Sequence, residues 1–374
     1  MLIGPRVYSD SFLDEFDKQV LEGFGDTVDR IVATPSGASP VLRNGRGGLR
    51  HNRYIWMRVY DETRARYGRP LTLLAAERLL ERVGPGDHVL ILTNSHEMDG
   101  PPGSAALARA LLVGPRAIPV VMANFQEGSK HERALTQSLT GCQVIPVKSR
   151  DELRGSIWTP YTALVYNWPT MTMGEAAEAS ERLLDELYPK AVITVEATSC
   201  NEKGVRHGAL GGPSNRGDPD ERIVRWNQLL DAARRRGALT IATGDNGNEC
   251  GFNTIKDILV RHHPYCRDCG CPCHGGIVSA TGAEIVIPAT SSNWAAYGVE
   301  ACMARLLGNP DVLHDEYTHS RVLVNCANEG IPDGATAMAS PSTDGCSREA
   351  DMALITQLRQ TLAMSVKEIV RESR

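Results

Sequence analysis

Short apolar runs alternate with longer amphipathic stretches from about residue 71 onward. Each apolar run spans four to six residues that are hydrophobic almost throughout, which is typical of strands in a parallel sheet covered on both faces. These runs predict seven strands, at 88–93, 117–122, 143–147, 162–166, 191–195, 239–242 and 284–288.

The stretches between these runs have the periodicity of helices that bury one face. They predict helices at 71–83, 101–112, 130–139, 174–188 and 219–236, with an alanine-rich helix after Trp294. This alternation predicts an α/β fold: a mostly parallel sheet covered by helices on both faces, in a Rossmann-like three-layer architecture. Ligands of such sheets bind at the carboxyl ends of the strands, so the loops that follow the strands are the candidate site.

The first 70 residues predict no strand. A helix is expected near residues 11–21, followed by the segment 43–48, in which three glycines permit positive φ. Arg46 in that segment is a candidate substrate-binding residue that could clamp an anion, and a solvated turn is the alternative. We expect residues 1–70 to form a helical and loop segment that packs on a main α/β domain of residues 71–374.

Composition narrows the class of protein. The chain has 374 residues, 42% of them hydrophobic, which suffices for a large core, and its net charge of −5 argues against a general nucleic-acid-binding protein. Its apolar runs are shorter than the roughly 18 to 20 residues that cross a membrane, and the N-terminus turns acidic early, unlike a targeting peptide. Ten cysteines without an export signal indicate thiols or metal ligands. We therefore expect a cytoplasmic protein without nucleic-acid or membrane partners. The sequence does not decide between a monomer and a homo-oligomer.

The loop after the first predicted strand, residues 99–104 (the Asp99 loop), reads Asp-Gly-Pro-Pro-Gly-Ser. Prolines suit the first helical turn, because their missing N–H would be unpaired there. The amides from Gly103 onward would favour an anion such as a substrate carboxylate. The loop therefore supplies four candidate substrate-binding residues, with helix capping as the alternative role of the first. They are Asp99, Gly100, Gly103 and Ser104.

Two further loops carry carboxylates directly after strands. Glu196 ends an apolar predicted strand, where an unpaired carboxylate is energetically expensive. Residues 244–249 (the Gly244 loop) place Asp245, Asn248 and Glu249 among glycines that allow a tight turn. Such carboxylates could act as acid and base, or hold a hard divalent cation such as Mg²⁺ or Mn²⁺. We predict catalytic roles for the three carboxylates and a substrate-binding role for the amide, with an ordinary polar turn as the alternative.

The segment 290–294 follows the last predicted strand and is rich in hydrogen-bonding side chains. Asn293 could make a hydrogen bond to substrate, and capping of the following helix is the alternative for Ser292 or Asn293. Because this segment also lies at the carboxyl end of a strand, we expect it beside the other loops.

Residues 266–274 (the cysteine segment) place four thiols and an imidazole in nine residues. The C-x2-C-x-C-x-C spacing is too crowded for an ordinary zinc finger, which uses two separated ligand pairs. Three thiolates from such a segment could still share a metal with a distant ligand, and zinc is the first candidate for soft thiolates. The alternative is a Gly- and Pro-rich loop with free or redox-active cysteines. The predicted metal ligands are Cys266, Cys269, Cys271 and Cys273.

Several cofactor signatures are missing from the sequence. It contains no G-x4-G-K-[ST] phosphate loop, no G-x-S-x-G elbow, no H-E-x-x-H helix and no G-x-G-x-x-G fingerprint after a first strand. ATP- or NAD-dependent chemistry is therefore not supported, and no organic cofactor is expected.

Three of these segments, in this order, resemble the C-terminal domain family of D-glutamate cyclase. They are Asp99-Gly100-Pro101-Pro102-Gly103, the Gly244 loop and Ser292-Asn293-Trp294. The similarity runs from about residue 43 to near the C-terminus, where 334–338 and 344–345 also resemble the family's terminal segment.

The resemblance implies condensation of an amino acid's amine with its own distal carboxyl group, which releases water and forms a lactam. D-glutamate would give 5-oxo-D-proline, so a small amino-acid-like substrate is implied. Where the family usually has Glu-Arg-Pro-Gly, this chain has Glu196-Ala197-Thr198-Ser199, and an arginine that could bind a substrate carboxylate is missing. The substrate therefore need not be glutamate. A lactam or lactone hydrolase on the same site and a non-catalytic metal- or ligand-binding protein are the alternatives.

Overall fold

The structure is a computed structural model that describes residues 10–35, 54–154 and 161–363. It contains strands at each of the seven predicted places, with small shifts at their ends. They are β1 His88–Thr93, β2 Ile118–Ala123, β3 Ile145–Val147, β4 Thr162–Asn167, β5 Ala191–Val195, β6 Leu239–Gly244 and β7 Ile285–Pro288.

The strands form one sheet of order β3-β4-β2-β1-β5-β6-β7, and every neighbouring pair among the described residues is parallel. The order changes direction at β1, because β2 lies on one side of this strand and β5 on the other. Leu90 of β1 pairs with Val120 on one side and Val192 on the other. In a parallel sheet such a reversal leaves a crevice at the carboxyl ends of the two central strands.

Helices surround this sheet, and those predicted to begin near residues 71, 101, 130, 174 and 292 are confirmed. The hydrophobic pattern did not predict five further helices, at Tyr54–Tyr67, Arg150–Arg154, Pro264–Arg267, Glu316–Asn328 and Arg348–Ala363. In the described part of the chain the helices are α1 Asp10–Val32, α2 Tyr54–Tyr67, α3 Leu71–Arg82, α4 Pro101–Val113, α5 Lys130–Gly141, α6 Arg150–Arg154, α7 Met173–Leu187, α8 Trp226–Arg235, α9 Lys256–His262, α10 Pro264–Arg267, α11 Ser292–Leu307, α12 Glu316–Asn328 and α13 Arg348–Ala363.

The helix predicted at 219–236 is wrong in its first half, since α8 begins only at Trp226. Arg225 is buried, and its guanidinium donates to the main-chain oxygen of Met171 and to three main-chain oxygens within 218–221. The chain therefore wraps around this guanidinium in turns, and these carbonyls find their partner there instead of in a helix.

The two faces of the sheet bury different side chains, because successive strand residues point to opposite sides. Val89 and Ile91 of β1 pack in a core with α1, α3, α4, α5, α11 and α13. Leu90 and Leu92 pack on the other face with α7 and α8. Helices thus cover both faces, which confirms the α/β three-layer architecture. Complete burial of one such side chain stabilises the fold by about 1.5–3 kcal/mol.

Asp29 of α1 connects α1 and α2 with α3, one of the helices that cover the sheet. Its buried carboxylate accepts the main-chain N–H groups of Leu71 and Thr72 at the start of α3, at 2.6 and 3.0 Å. It also accepts the hydroxyl of Tyr60 in α2, at 3.0 Å. These bonds supply the N-terminus of α3 with an acceptor from another helix. Among the described residues, no helix combines the length and the apolar character that a membrane span requires.

His263, which follows α9, is a buried histidine that makes folding sensitive to acid. Its ring packs near those of Trp56 and Tyr265, and its Nδ1 has no hydrogen-bond partner among the described residues. Burial lowers the pKa of His263 to about 4. In the unfolded chain the pKa returns to about 6.5, so the unfolded state takes up this proton first as the pH falls.

We therefore expect His263 to contribute stability that is fully present above pH ~6.5 and lost progressively down to pH ~4. The loss should total about 3 kcal/mol, from the difference between the two pKa values. Urea titrations of wild type and His263→Gln near pH ~7 and pH ~5 measure this effect. The variant should lose less stability on acidification, and an equal loss in both proteins would contradict the assignment.

Candidate active site

A pocket of about 320 Å³ opens at the carboxyl edge of the sheet, where β1, β5 and β6 end. Its volume suits a small molecule. It lies at the reversal of strand order between β1 and β5, the place where α/β sheets bind ligands. The charged and amide side chains on which the following argument depends are Glu97, Glu196, Arg206, Asp245, Asn248 and Asp344.

Glu196 directly follows β5 and is 4% exposed. Its φ of 54° lies in the left-handed region, a strained conformation for a residue other than glycine. The hydroxyl of Ser292 donates to its Oε2 at 2.6 Å, and Asn94 donates to its main-chain oxygen at 3.2 Å. Burial and the nearby charges of Glu249 and Asp99 raise the pKa of Glu196 well above its usual range. Glu196 therefore keeps its proton at a pH where an ordinary glutamate is ionised.

Glu249 shapes the Gly244 loop from inside. Its Oε1 accepts the main-chain N–H groups of Asp245 and Asn246, both at 2.8 Å, and its Oε2 accepts that of Gly247 at 2.6 Å. A Cβ at Gly244 would lie 2.5 Å from the Glu249 carboxyl carbon, so this approach requires glycine. The Glu249 carboxylate does not line the pocket. These contacts hold the conformation of the loop, and the catalytic role predicted for Glu249 stays a prediction.

Asp245 and Asn248 of the same loop line the pocket. The Asp245 carboxylate accepts a hydrogen bond from Asn246 Nδ2 at 2.6 Å, and a carboxylate oxygen of Asp245 lies within 4.8 Å of one of Glu196. Asn248 donates through Nδ2 to the main-chain oxygen of His207 at 2.8 Å. Its buried Oδ1 has no hydrogen-bond partner among the described residues. The loop thus presents one carboxylate next to Glu196 and one unpaired acceptor.

The Asp99 loop and Asn293 bind each other. The Asp99 carboxylate accepts the main-chain N–H groups of Ser292 and Asn293, at 2.9 and 2.8 Å, and so caps α11. Asn293 Oδ1 in turn accepts the N–H groups of Gly100 and Gly103, at 2.9 and 2.8 Å. A Cβ at Gly103 would lie 2.6 Å from that oxygen, so glycine is required there as well. This reciprocal contact joins the ends of β1 and β7.

Amides of the Asp99 loop have partners within the protein, and the substrate-binding role predicted for this loop stays a prediction. The amides of Gly100 and Gly103 are paired with Asn293, and the amide of Ser104 donates to the Gly100 oxygen at 2.9 Å. None of these three N–H groups is left for a substrate carboxylate. Asn293 and Asp99 hold the site together, but neither caps its own helix as the alternative prediction had it: Asp99 binds the start of α11, and Asn293 binds the start of α4. Burial and the charge of Asp344 raise the pKa of Asp99 well above its usual range.

Carboxylates from several segments converge here. Asp245 belongs to two groups whose oxygens lie within 4.8 Å of one another and could hold a metal ion. In each group, one carboxylate already accepts hydrogen bonds from main-chain N–H groups: Glu249 in the first and Asp99 in the second. The sequence gave no role to Glu97 and placed Asp344 only in a motif near the C-terminus. The two groups are Glu196, Asp245 and Glu249, and Asp99, Asp245 and Asp344.

Arg206 brings a cation to the pocket wall. It lies in the connection between β5 and α8, and its Nε donates to Ser214 Oγ at 3.0 Å. Burial lowers the pKa of Arg206, but a guanidinium remains charged at neutral pH. The segment has no periodicity and no motif that would have pointed to this residue. Arg46, the predicted anion-binding residue, lies outside the described residues, as does the rest of 43–48.

Three of the four predicted cysteine ligands meet a histidine from another loop. The Sγ atoms of Cys269, Cys271 and Cys273 lie 3.3–3.4 Å apart, and His207 Nε2 lies 3.3 Å from the Cys271 sulfur and 3.6 Å from that of Cys273. This buried group could hold a metal. Cys266 is not part of it, because its Sγ lies against the main-chain oxygen of Asn246 at 3.6 Å. His207 was missed because no spacing in the sequence links it to the cysteine segment.

Residues 66–359, most of the chain, match the family described as D-glutamate cyclase-like, C-terminal. The chain belongs to this family. The match confirms the resemblance carried by the Asp99 loop, the Gly244 loop and residues 292–294. No curated protein matches the chain.

Within this D-glutamate cyclase-like domain, the position after Glu196 differs from the motif expected from the resemblance. Ala197, which stands where the resemblance leads us to expect arginine, is fully buried and packs in the core with α7 and α8. Arg206 reaches the pocket from farther along the same connection. A cation thus lines the pocket nine positions after the place where the motif has its arginine.

Proposed function

We propose that the chain catalyses the dehydrating cyclisation of an amino acid to a lactam, with D-glutamate or a close analogue as substrate and 5-oxo-D-proline as the product from D-glutamate. The observation that carries this proposal is the pair Glu196 and Asp245, whose carboxylate oxygens lie within 4.8 Å of each other beside a small pocket. The family's name supports the reaction class. Two carboxylates in different environments suit acid and base roles.

Cyclisation transfers two protons from nitrogen to oxygen. The substrate ammonium becomes a lactam N–H, and one oxygen of its distal carboxylate leaves as water, while a C–N bond forms and a C–O bond breaks. Asp245 accepts a proton from the amine, and Glu196, whose pKa is raised by burial, donates one to the departing oxygen. Because the two groups are close, Asp245 then passes its proton to Glu196, which restores the starting state of both. A second round of the same transfers moves the second proton from nitrogen to oxygen, and the oxygen leaves as water.

Substrate orientation is assigned to Arg206 and Asn248. The guanidinium pairs with the α-carboxylate, and the unpaired Asn248 Oδ1 accepts an N–H of the amine. Val224 and Trp226 give the pocket an apolar side for the methylene groups. Holding the substrate curled brings nitrogen and carboxyl carbon together, which contributes much of the rate of an intramolecular reaction.

The direct test is incubation of the purified chain with D-glutamate, L-glutamate and related amino acids, followed by mass detection of products that have lost one water. D-glutamate is expected to give the lactam. The same enzyme should also hydrolyse 5-oxo-D-proline, since a catalyst accelerates both directions. No product from any substrate in either direction would contradict the proposal and favour a ligand-binding protein.

Arg206→Met should raise KM about 10- to 100-fold with little change in kcat, because a charge-assisted hydrogen bond of about 1.5–3 kcal/mol is lost from substrate binding. Arg216→Met is the matched control: Arg216 is exposed in the same connection and does not line the pocket. Steady-state kinetics measure both. An unchanged KM in Arg206→Met would remove this residue from substrate binding.

A further inference from the structure

Two irregular segments pack against each other beside the pocket, and the first of them lines it. One is the part of the β5–α8 connection at 199–215, and the other is the cysteine segment with the residues that follow it. Asn201 Nδ2 donates to the Gly276 oxygen at 2.7 Å, and the Ala280 N–H donates to the Cys200 oxygen at 2.8 Å. The whole connection at 196–225 contains neither helix nor sheet strand. A connection of that kind inside a compact domain needs specific contacts to hold one conformation.

The three cysteine sulfurs and the histidine nitrogen form a compact tetrad at this junction. The three sulfur–sulfur separations are 3.3–3.4 Å. The nitrogen lies 3.3 and 3.6 Å from the sulfurs of Cys271 and Cys273 and within 4.8 Å of that of Cys269. A disulfide would bring one pair to about 2.05 Å and leave the third sulfur apart. Around zinc, with Zn–S bonds of about 2.3 Å, the edges of a tetrahedron measure about 3.8 Å. The near-equal separations fit the second arrangement.

We propose that His207, Cys269, Cys271 and Cys273 bind one zinc ion in a closed tetrahedral site. Three thiolates and one imidazole are donors that zinc prefers. Since four protein ligands leave no position for water or substrate, the ion is structural and does not act on the substrate. The proposal does not depend on the proposed reaction, because metal binding is measured without turnover.

The surroundings of the tetrad suit thiolate ligands. The Gly275 N–H and Asn201 Nδ2 both point to Cys273 Sγ, at 3.4 and 3.5 Å, and such N–H donors orient and stabilise a metal-bound sulfur. Glycine also allows the crowded spacing. A Cβ at Gly276, whose φ is 68°, would collide with the Cys266 main-chain oxygen, and one at Gly211 would collide with that of Cys269.

The zinc site reaches the pocket through its histidine. The main-chain oxygen of His207 accepts the hydrogen bond from Asn248 Nδ2, and Arg206 is the residue before it. A metal that fixes His207 therefore fixes both side chains to which substrate orientation is assigned. Through Cys269, Cys271 and Cys273, the same metal ion would also bind the cysteine segment to the β5–α8 connection.

Elemental analysis of the full chain, purified under reducing conditions from zinc-containing medium, tests the site. Wild type is expected to hold one zinc per chain, and Cys269→Ser and Cys271→Ser should each lose most of it. Cys266→Ser is the matched control, since this buried neighbouring cysteine lies outside the tetrad, and it should retain the metal. Equal zinc loss in Cys266→Ser and Cys269→Ser would overturn the ligand set.

Because a serine variant could fail to fold, wild type supplies a second measurement. Replacing zinc by cobalt should give the intense visible absorption of a tetrahedral site together with a thiolate-to-cobalt charge-transfer band. Titration of the thiols with an organomercurial should release zinc to a chromogenic chelator in step with their modification. Reduced wild type that takes up neither zinc nor cobalt, or a disulfide among the three cysteines in the freshly purified chain, would overturn the proposal.

Discussion

Asp245→Asn is expected to lower kcat by about 10²- to 10⁴-fold, the usual contribution of a general base, while the free energy of unfolding stays close to that of wild type. Asparagine has the same shape but cannot take the proton from the substrate amine. The Gly244 loop should persist in the variant, because the three main-chain N–H groups that bind Glu249 are unchanged. Steady-state kinetics and urea unfolding on the same preparation measure both quantities.

Asp231→Asn is the matched control for this variant. The Asp231 carboxylate accepts the Thr281 hydroxyl at 3.0 Å and does not line the pocket, so kcat should remain at the wild-type value. Near wild-type turnover in Asp245→Asn would remove Asp245 from the mechanism. A parallel drop in stability would instead assign it a structural role.

The second large effect is expected from Glu249→Ala, which should reduce the free energy of unfolding by at least about 3 kcal/mol. Three main-chain N–H groups of one turn lose their acceptor, and each unpaired buried donor costs about 1–3 kcal/mol. Turnover should fall as well, because Asp245 and Asn248 depend on the geometry of this turn. Urea unfolding monitored by circular dichroism gives the stability change.

Glu175→Ala is the comparison for this effect. Glu175 also accepts a main-chain N–H, that of Thr172 at the start of α7, but its carboxylate is exposed to water that can replace it. Its removal should therefore destabilise the chain less. Equal losses in the two variants would show that burial of the Glu249 carboxylate within the turn is not what holds the Gly244 loop.

The sheet was predictable from sequence because the strands inside it are buried on both faces and read as continuous apolar runs; only the edge strand β3 is largely exposed among the described strands. The predicted start of α8 is wrong because of one residue, Arg225. Its buried guanidinium donates hydrogen bonds to four main-chain oxygens, and hydrophobic periodicity does not reveal such contacts. The place of the site was predictable for a related reason. Polar residues directly after buried strands, such as Glu196 and Asp245, have to lie at one edge of a parallel sheet.

The roles of those polar residues were less predictable. Asn293 and Glu249 look like ligand-binding side chains in sequence, yet both turn inward and bind main-chain amides. A side chain that caps a turn and one that faces a substrate are of the same residue types, so composition does not separate them. Arg206 and His207 gave no signal because their partners are distant in sequence and they lie in an irregular connection.

The contact between Asn293 and the Asp99 loop also bears on how the protein is made. It joins Gly100 to a residue 193 positions later, so this contact cannot form until the start of α11 has been synthesised. Contacts between residues so far apart in sequence form late in folding, since a long stretch of chain must be ordered first. A nascent chain that has not yet released residue 293 from the ribosome therefore has no working pocket, and activity begins only when nearly all of the domain has emerged.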